Sequence, residues 1–330
     1  MRGGLAKWMT NTLGVVVLSG VFFPVQAESS LDAAAWLEKM ATAAQKLNYT
    51  GTFVYQSGGS TETSKVTHLV NASGEQEKLE VLDGSPREVI RNNDEVKCFL
   101  AAEKIVIVET RRKQKGFPAL LPPSFASLEE FYKISRGEVA RVAGYESQLI
   151  ILEPKDNLRY GHMLWAEVRS GLMLKARMVN EKNEPIEQFA FSQLQIEGSI
   201  NRELIKSKFE VESATWRVQH VHAEENNLSV GEWAFKTPLP GFKKTAGMRR
   251  HSASSGTGTS HFVFSDGLAS ISVFIEPLGE RKEKIEPATY SVGAINVYKR
   301  VLDGRLITIL GEVPPASLKR LGDGIEPKKK

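Results

Sequence analysis

Cysteine is all but missing from this chain: Cys98 is the only one in 330 residues, so no internal disulfide can form. Its neighbours Val96, Phe99 and Leu100 predict a strand that packs the thiol as a small hydrophobe, with Lys97 on the opposite face. Long apolar runs are missing too. Leu13 to Phe23, at 11 residues, falls short of the ~20 that a membrane-spanning helix needs. Neither sign of charge prevails, with 43 Lys and Arg against 39 Asp and Glu, which gives no footing to nucleic-acid binding. There is no P-loop, GxSxG elbow, HExxH or CxxC, so the sequence points to neither an enzyme nor a cofactor. The Gly-rich stretch from Gly256 to Ser260 has His261 where a dinucleotide fingerprint requires its third glycine. His220 and His222 share a strand face, but two ligands are too few for a metal site.

What the chain does have begins at its start. Arg2 and Lys7 precede the apolar Leu13–Phe23 segment, and Val25-Gln26-Ala27 then supplies the small residues of a cleavage box. That order predicts a secretory signal peptide over 1–27, a mature chain from Glu28 and a periplasmic location. The remainder is long enough for about two domains of ordinary size.

Ser30 to Leu47 reads as an amphipathic helix, capped by Ser29 or Ser30, with Ala33, Trp36, Leu37, Met40, Ala44 and Leu47 on one stripe. From Tyr49 the period changes to that of strands. Short strands then follow one another, separated by turn chemistry such as Asn92-Asn93-Asp94, Asp266-Gly267 and Asp303-Gly304. No long helices alternate with them, so the expectation is mainly β with helices: antiparallel meanders, with one helix lying on a large curved sheet. Residues 111–127 interrupt the pattern with Gly116, Pro118, Pro122 and Pro123 among apolar side chains, and Ser127 then opens a short helix through Tyr132. Asn201 to Phe209 reads as a polar helix, and Glu210 to Glu232 as a connection. A smaller sheet follows, with one strand over Ala288 to Leu302 and a final helix opened by Pro314-Pro315.

Five blocks in order carry a family resemblance. They are NYTGTFVYQ from Asn48, the long run from Arg159 to Gln195, SDGLASISVFIEP from Ser265, VGAINVYKR from Val292 and ITILGEVPPASLKRL from Ile307. They resemble the RseB/MucB family. The resemblance implies a periplasmic negative regulator of the sigma-E envelope-stress response. It implies a LolA-like unclosed antiparallel β-barrel over 28–198 that senses lipid, a linker over 199–230, and a small antiparallel sheet domain with one helix over 231–330. The implied partners are the periplasmic domain of an RseA/MucA-type anti-sigma factor, which is shielded from proteolysis, and lipopolysaccharide or another amphiphile that releases it. A homo-oligomer is compatible with this reading. The alternative function is a lipid or lipoprotein carrier of the LolA type.

On that footing, Trp36, Met40, Phe53, Tyr55, Phe117, Leu120, Leu121 and Phe125 are the expected lining of an amphiphile groove, a closed core being the alternative. Arg111, Arg112, Lys113 and Lys115 would meet phosphate headgroups. Exposed-strand character around Trp216 to His222 and Phe262 to Phe264 suggests an edge for a partner segment. Trp216 and Trp233 are its expected anchors, and Arg217, Arg249, Arg250 and Lys299 its rim charges.

Overall fold

The computed structural model describes residues 32–110, 128–221, 232–251, 258–278 and 286–328. The expected signal peptide lies outside them. So do Arg111, Arg112, Lys113, Lys115, Phe117, Leu120, Leu121, Phe125 and His222, and the side chains of Arg249 and Arg250. Among the described residues no helix is long and apolar enough to cross a membrane.

Helix α1 spans Ala33–Lys46 and is capped by Asp32, whose carboxylate accepts from the Ala35 amide at 2.7 Å. Asp32 therefore does the capping expected of Ser29 or Ser30. The first strand series comprises β1 (Tyr49–Ser57), β2 (Ser60–Asn71), β3 (Gly74–Val81), β4 (Arg87–Asn92), β5 (Glu95–Leu100) and β6 (Ile105–Thr110). After α2 (Leu128–Phe131) the second comprises β7 (Tyr132–Val142), β8 (Tyr145–Pro154), β9 (Gly161–Glu167), β10 (Met173–Val179) and β11 (Pro185–Ile196). Tyr132 begins β7 and pairs with Pro154, so the short helix ends one residue earlier than expected.

The two meanders join where β1 pairs antiparallel with β11, Tyr49 opposite Ile196. With β12 (Arg217–Val221) they make one twelve-stranded sheet in the order β12-β6-β5-β4-β3-β2-β1-β11-β10-β9-β8-β7. Its end strands do not pair with each other, so the sheet is unclosed, as expected. Buried Trp36, Leu37, Met40 and Ala43 of α1 pack on Phe53, Phe189, Phe191, Ile150, Leu164 and Leu174. Each such buried aliphatic or aromatic side chain contributes roughly 1.5–3 kcal/mol.

Two readings of the next segment need correction. Asn201 to Phe209 is not an α-helix. A single 3-10 turn covers Arg202–Ile205, and the sheet then takes over the backbone partners a helix would need. Lys78 Nζ donates to the Lys206 carbonyl at 2.8 Å, and Glu88 accepts from the Lys208 amide at 3.1 Å and from Ser207 Oγ at 2.7 Å. Lys78 and Glu88 are themselves a buried ion pair at 2.8 Å. Nor is the expected connection merely irregular, since β12 lies within it and pairs parallel with β6, Arg217 opposite Ile105.

A six-stranded sheet follows, in the order β14-β15-β16-β19-β18-β17. Its strands are β14 (Lys243–His251), β15 (Gly258–Ser265), β16 (Ser270–Pro277), β17 (Ala288–Val292), β18 (Ile295–Leu302) and β19 (Arg305–Gly311). Ala288 to Leu302 is thus two strands rather than one, turned at Gly293-Ala294. Helix α3 (Pro315–Asp323) starts on Pro315 and buries Leu318 and Leu321 against the sheet. β13 (Trp233–Phe235) pairs with β20 (Ile325–Pro327) beside them.

Candidate functional site

The two sheets meet along a seam built from loops. Arg159, between β8 and β9, and Asp266, in the β15–β16 turn, are both fully buried and pair at 2.8 Å. The guanidinium also holds Asp156 through Nε and Nη2, each at 3.1 Å, and Nη2 donates to the Pro240 carbonyl at 2.6 Å. It lies over the rings of Phe131 at 4.7 Å and Phe242 at 5.2 Å, a stacking geometry that suits arginine. Asp266 Oδ2 also accepts from Tyr132 Oη at 3.2 Å, while Oδ1 accepts the Leu268 and Ala269 amides of its own turn. Every oxygen of this buried carboxylate is therefore partnered. Gly241 permits the approach: its φ is +80°, and a Cβ there would come within 2.6 Å of the Phe131 ring.

Neutral contacts extend the seam. Ser317 Oγ donates to the Leu158 carbonyl at 2.8 Å, Asn296 Nδ2 to Tyr160 Oη at 2.9 Å, and the Ala294 amide to Ser57 Oγ at 2.9 Å. Two turns touch there, since a Cβ on Gly58 would meet Gly293 Cα at 2.5 Å. Near these contacts Tyr55 hydrogen-bonds Glu187, whose Oε2 is buried without a partner. Burial first, and the charge of Glu312 second, push the Glu187 carboxyl up to about 7. The fold thus retains a proton there that the unfolded chain, at 4.5, releases. Stability should fall as pH rises from about 4.5 to 7 and level off above that window. Glu187→Gln should flatten this slope when melting temperature is followed from pH 5 to 8. Equal slopes for both proteins would count against the assignment.

The expected site residues divide sharply. Trp36, Met40 and Phe53 are buried in one cluster, with Tyr55 at its margin. They are brought together between α1, which carries Trp36 and Met40, and the sheet, as packed core. Lys39 secures the helix there, donating to the Val168 carbonyl at 2.7 Å. Trp216 is half-buried against Phe209, ring centroids 5.5 Å apart, and Arg217 is exposed. Lys299 lies 5.4 Å over the Tyr290 ring. Arg249 and Arg250 fall on β14.

The exposed-strand reading of Phe262 to Phe264 is corrected. β15 lies between β14 and β16, Phe262 is 0% and Phe264 8% exposed, and both contact Phe235 edge-on. Trp233 is packed in the core of the smaller sheet as well. Cys98 is half-buried and burial pushes its thiol up, away from reactivity. The Arg159–Asp266 pair was not foreseen. Both residues stood inside recognised blocks, but nothing in a single sequence joins positions 107 apart.

Two sheets joined by a buried ionic seam, one of them bearing a helix-covered apolar cluster, make a scaffold for binding. Residues 32–209 match the MucB/RseB N-terminal domain and residues 227–326 the MucB/RseB C-terminal domain. The chain belongs to the MucB/RseB family, whose members are regulatory binding proteins and not enzymes. It is 28% identical over 329 residues to the sigma factor AlgU regulatory protein MucB of Pseudomonas aeruginosa, covering 96% of this chain and 98% of that one. To the sigma-E factor regulatory protein RseB of Escherichia coli K12 it is 24% identical over 325 residues, covering 97% of each. Among solved structures, the complex structure of Pseudomonas aeruginosa MucA/MucB matches at a TM-score of 0.72 and 27% identity, over 90% of this chain and 99% of that one.

Proposed function

We propose that this protein is exported, loses residues 1–27, and holds the periplasmic segment of a MucA/RseA-type anti-sigma factor in the periplasm. Bound there, the segment is shielded from regulated proteolysis until an amphiphile such as lipopolysaccharide or a lipidated protein releases it. The observation that carries this reading is the match along nearly the whole chain to a MucB solved with MucA. The organisation of the described residues supports it: a large unclosed sheet that takes in β12, and a separate six-stranded sheet; the proposed domains are 28–198 and 231–330, with a linker over 199–230. The partner segment is proposed to lie along the connection and the small sheet, near Trp216, Arg217, Arg249, Arg250 and Lys299. The amphiphile is proposed to enter at the cluster of Trp36, Met40, Phe53 and Tyr55, together with Arg111, Arg112, Phe117, Leu120, Leu121 and Phe125.

Two ligands that favour opposed arrangements of one protein must weaken each other by the same factor. Protein purified from the periplasm, with Glu28 as its N-terminus, should bind the anti-sigma segment roughly 5–150-fold more weakly at saturating lipid A, a coupling of ~1–3 kcal/mol. Unchanged affinity, in a protein shown to bind both ligands, would defeat the release mechanism. A pull-down from solubilised membranes that returns an outer-membrane lipoprotein receptor instead would favour the carrier function.

A further inference from the structure

A polar row crosses the large sheet at the edge of its apolar core. The register sets Tyr49 opposite His68, His68 opposite Glu77 and Glu77 opposite Arg91, across β1 to β4. Glu75 precedes Glu77 by two residues and so faces the same side. His68 and Tyr49 are fully buried and Glu77 nearly so. The rings of Tyr49 and His68 stack, with centroids 4.9 Å apart and planes 19° from parallel.

The imidazole is oriented as a metal ligand would be. Its Nδ1 lies 2.8 Å from the Leu47 carbonyl, and since a carbonyl can only accept, Nδ1 carries a proton. In the neutral ring Nε2 then offers a lone pair, and it faces Glu75 Oε1 at 3.1 Å. At that distance the two atoms are joined either by a second ring proton or by a bound cation. Ligand atoms of His68, Glu75 and Glu77 all lie within 4.8 Å of one another. Arg91 faces Glu77 at 4.0 Å, beyond hydrogen-bond length.

Tyr49 gives an independent sign. Its hydroxyl is buried with no hydrogen-bond partner, and Glu77 and Glu75 are the acidic groups acting most strongly on it. A second proton on Nε2 would satisfy Glu75 alone. A dication between the three side chains serves both carboxylates and the imidazole, and a water on it gives the phenol a partner.

We infer that His68, Glu75 and Glu77 form a binding site for one divalent transition-metal ion of the zinc class. Calcium and magnesium prefer all-oxygen shells, whereas an imidazole with carboxylates suits zinc. The Leu47 carbonyl is the outer contact that fixes the tautomer. Glu75, 37% exposed, marks the side from which an ion enters.

The test uses the exported protein, stripped with EDTA. Calorimetric titration with Zn²⁺ should show one ion bound per chain, and melting temperature should rise with zinc and fall back with chelator. Glu77→Gln and Glu75→Gln keep the side-chain shape and should each weaken zinc binding by at least about tenfold, with circular dichroism unchanged. His220→Ala, on β12, should leave the affinity as it was. No heat and no melting shift with zinc would overturn the site. So would binding that survives both glutamine variants, or binding lost with His220→Ala.

Discussion

Replacing Asp266 by alanine should cost about 3–5 kcal/mol of stability, the cost of stripping one partner from a buried ion pair. The magnitude follows from what is left behind. Arg159 would keep Asp156 and the Pro240 carbonyl, but Nη1 would face only rings in a place with no exposed surface. The β15–β16 turn would also lose the acceptor for its Leu268 and Ala269 amides. Arg159→Met separates the two contributions, because it breaks the pair and leaves that turn intact. Its expected cost is of the same order, since Tyr132 and two amides still bind the carboxylate but its charge loses its counter-ion and Asp156 and the Pro240 carbonyl lose their donor. The double variant should cost less than the two single losses added together, because the partners share one network. Urea unfolding, followed by tryptophan fluorescence and by circular dichroism, measures all three. A loss under about 1 kcal/mol for Asp266→Ala would place the pair with surface salt bridges and remove its role in the seam. If the proposed release requires the two sheets to change their arrangement, this pair must open with it.

Much of the fold was legible because its signals are local. The stripe of Trp36, Leu37 and Met40 gave α1, and Asn93 and Asp303, with φ of 54° and 47°, occupy turns that their chemistry favours. Pro315 opens α3 for a reason readable from proline alone. Long-range pairing was not legible. Nothing near Tyr49 names Ile196 as its neighbour across the sheet, and nothing in Arg217 to Val221 announces a parallel partner in β6. The segment after Asn201 misled for a related reason. Its composition permits a helix, and only Lys78 and Glu88, reaching over from other strands, divert its backbone.

The site was legible in a different proportion. Apolar period placed Trp36 and Met40 on one face and the family resemblance added Phe53, but period cannot distinguish a lined groove from a filled core, because both bury the same face. Whether a helix closes the cluster depends on tertiary contacts such as Lys39 to Val168. Nor does alternation in a strand say whether its two edges are free. β15 alternates cleanly between buried and half-buried residues, yet it has a neighbour on both sides. The row of Tyr49, His68 and Glu77 lies on three strands, and their meeting is a matter of register, which turns and core packing set together.

Phe262→Ala tests the corrected place of that residue most directly. Its side chain is wholly enclosed, edge-on to Phe235 at 5.2 Å and beneath Lys244 Nζ at 5.6 Å. Truncation leaves a cavity beside Val273, its partner across the sheet, in the cluster that also holds Ile271, Ile307 and Leu318, and such surroundings relax only partly. The expected cost is about 3–5 kcal/mol, read from denaturant midpoints at constant slope. Lys299→Ala and Arg217→Ala, on partly or fully exposed side chains, should stay within about 0.5 kcal/mol of the parent. Affinity for the anti-sigma segment should show the opposite ranking, with the two basic positions weakening it while the protein remains folded. At a temperature where the phenylalanine variant is still native, its affinity should stay near that of the parent, because no partner atom can reach a side chain with no exposed surface. A Phe262→Ala protein that melts like the parent but loses the segment would restore the exposed-edge reading and require β14 or β16 to leave its place on binding.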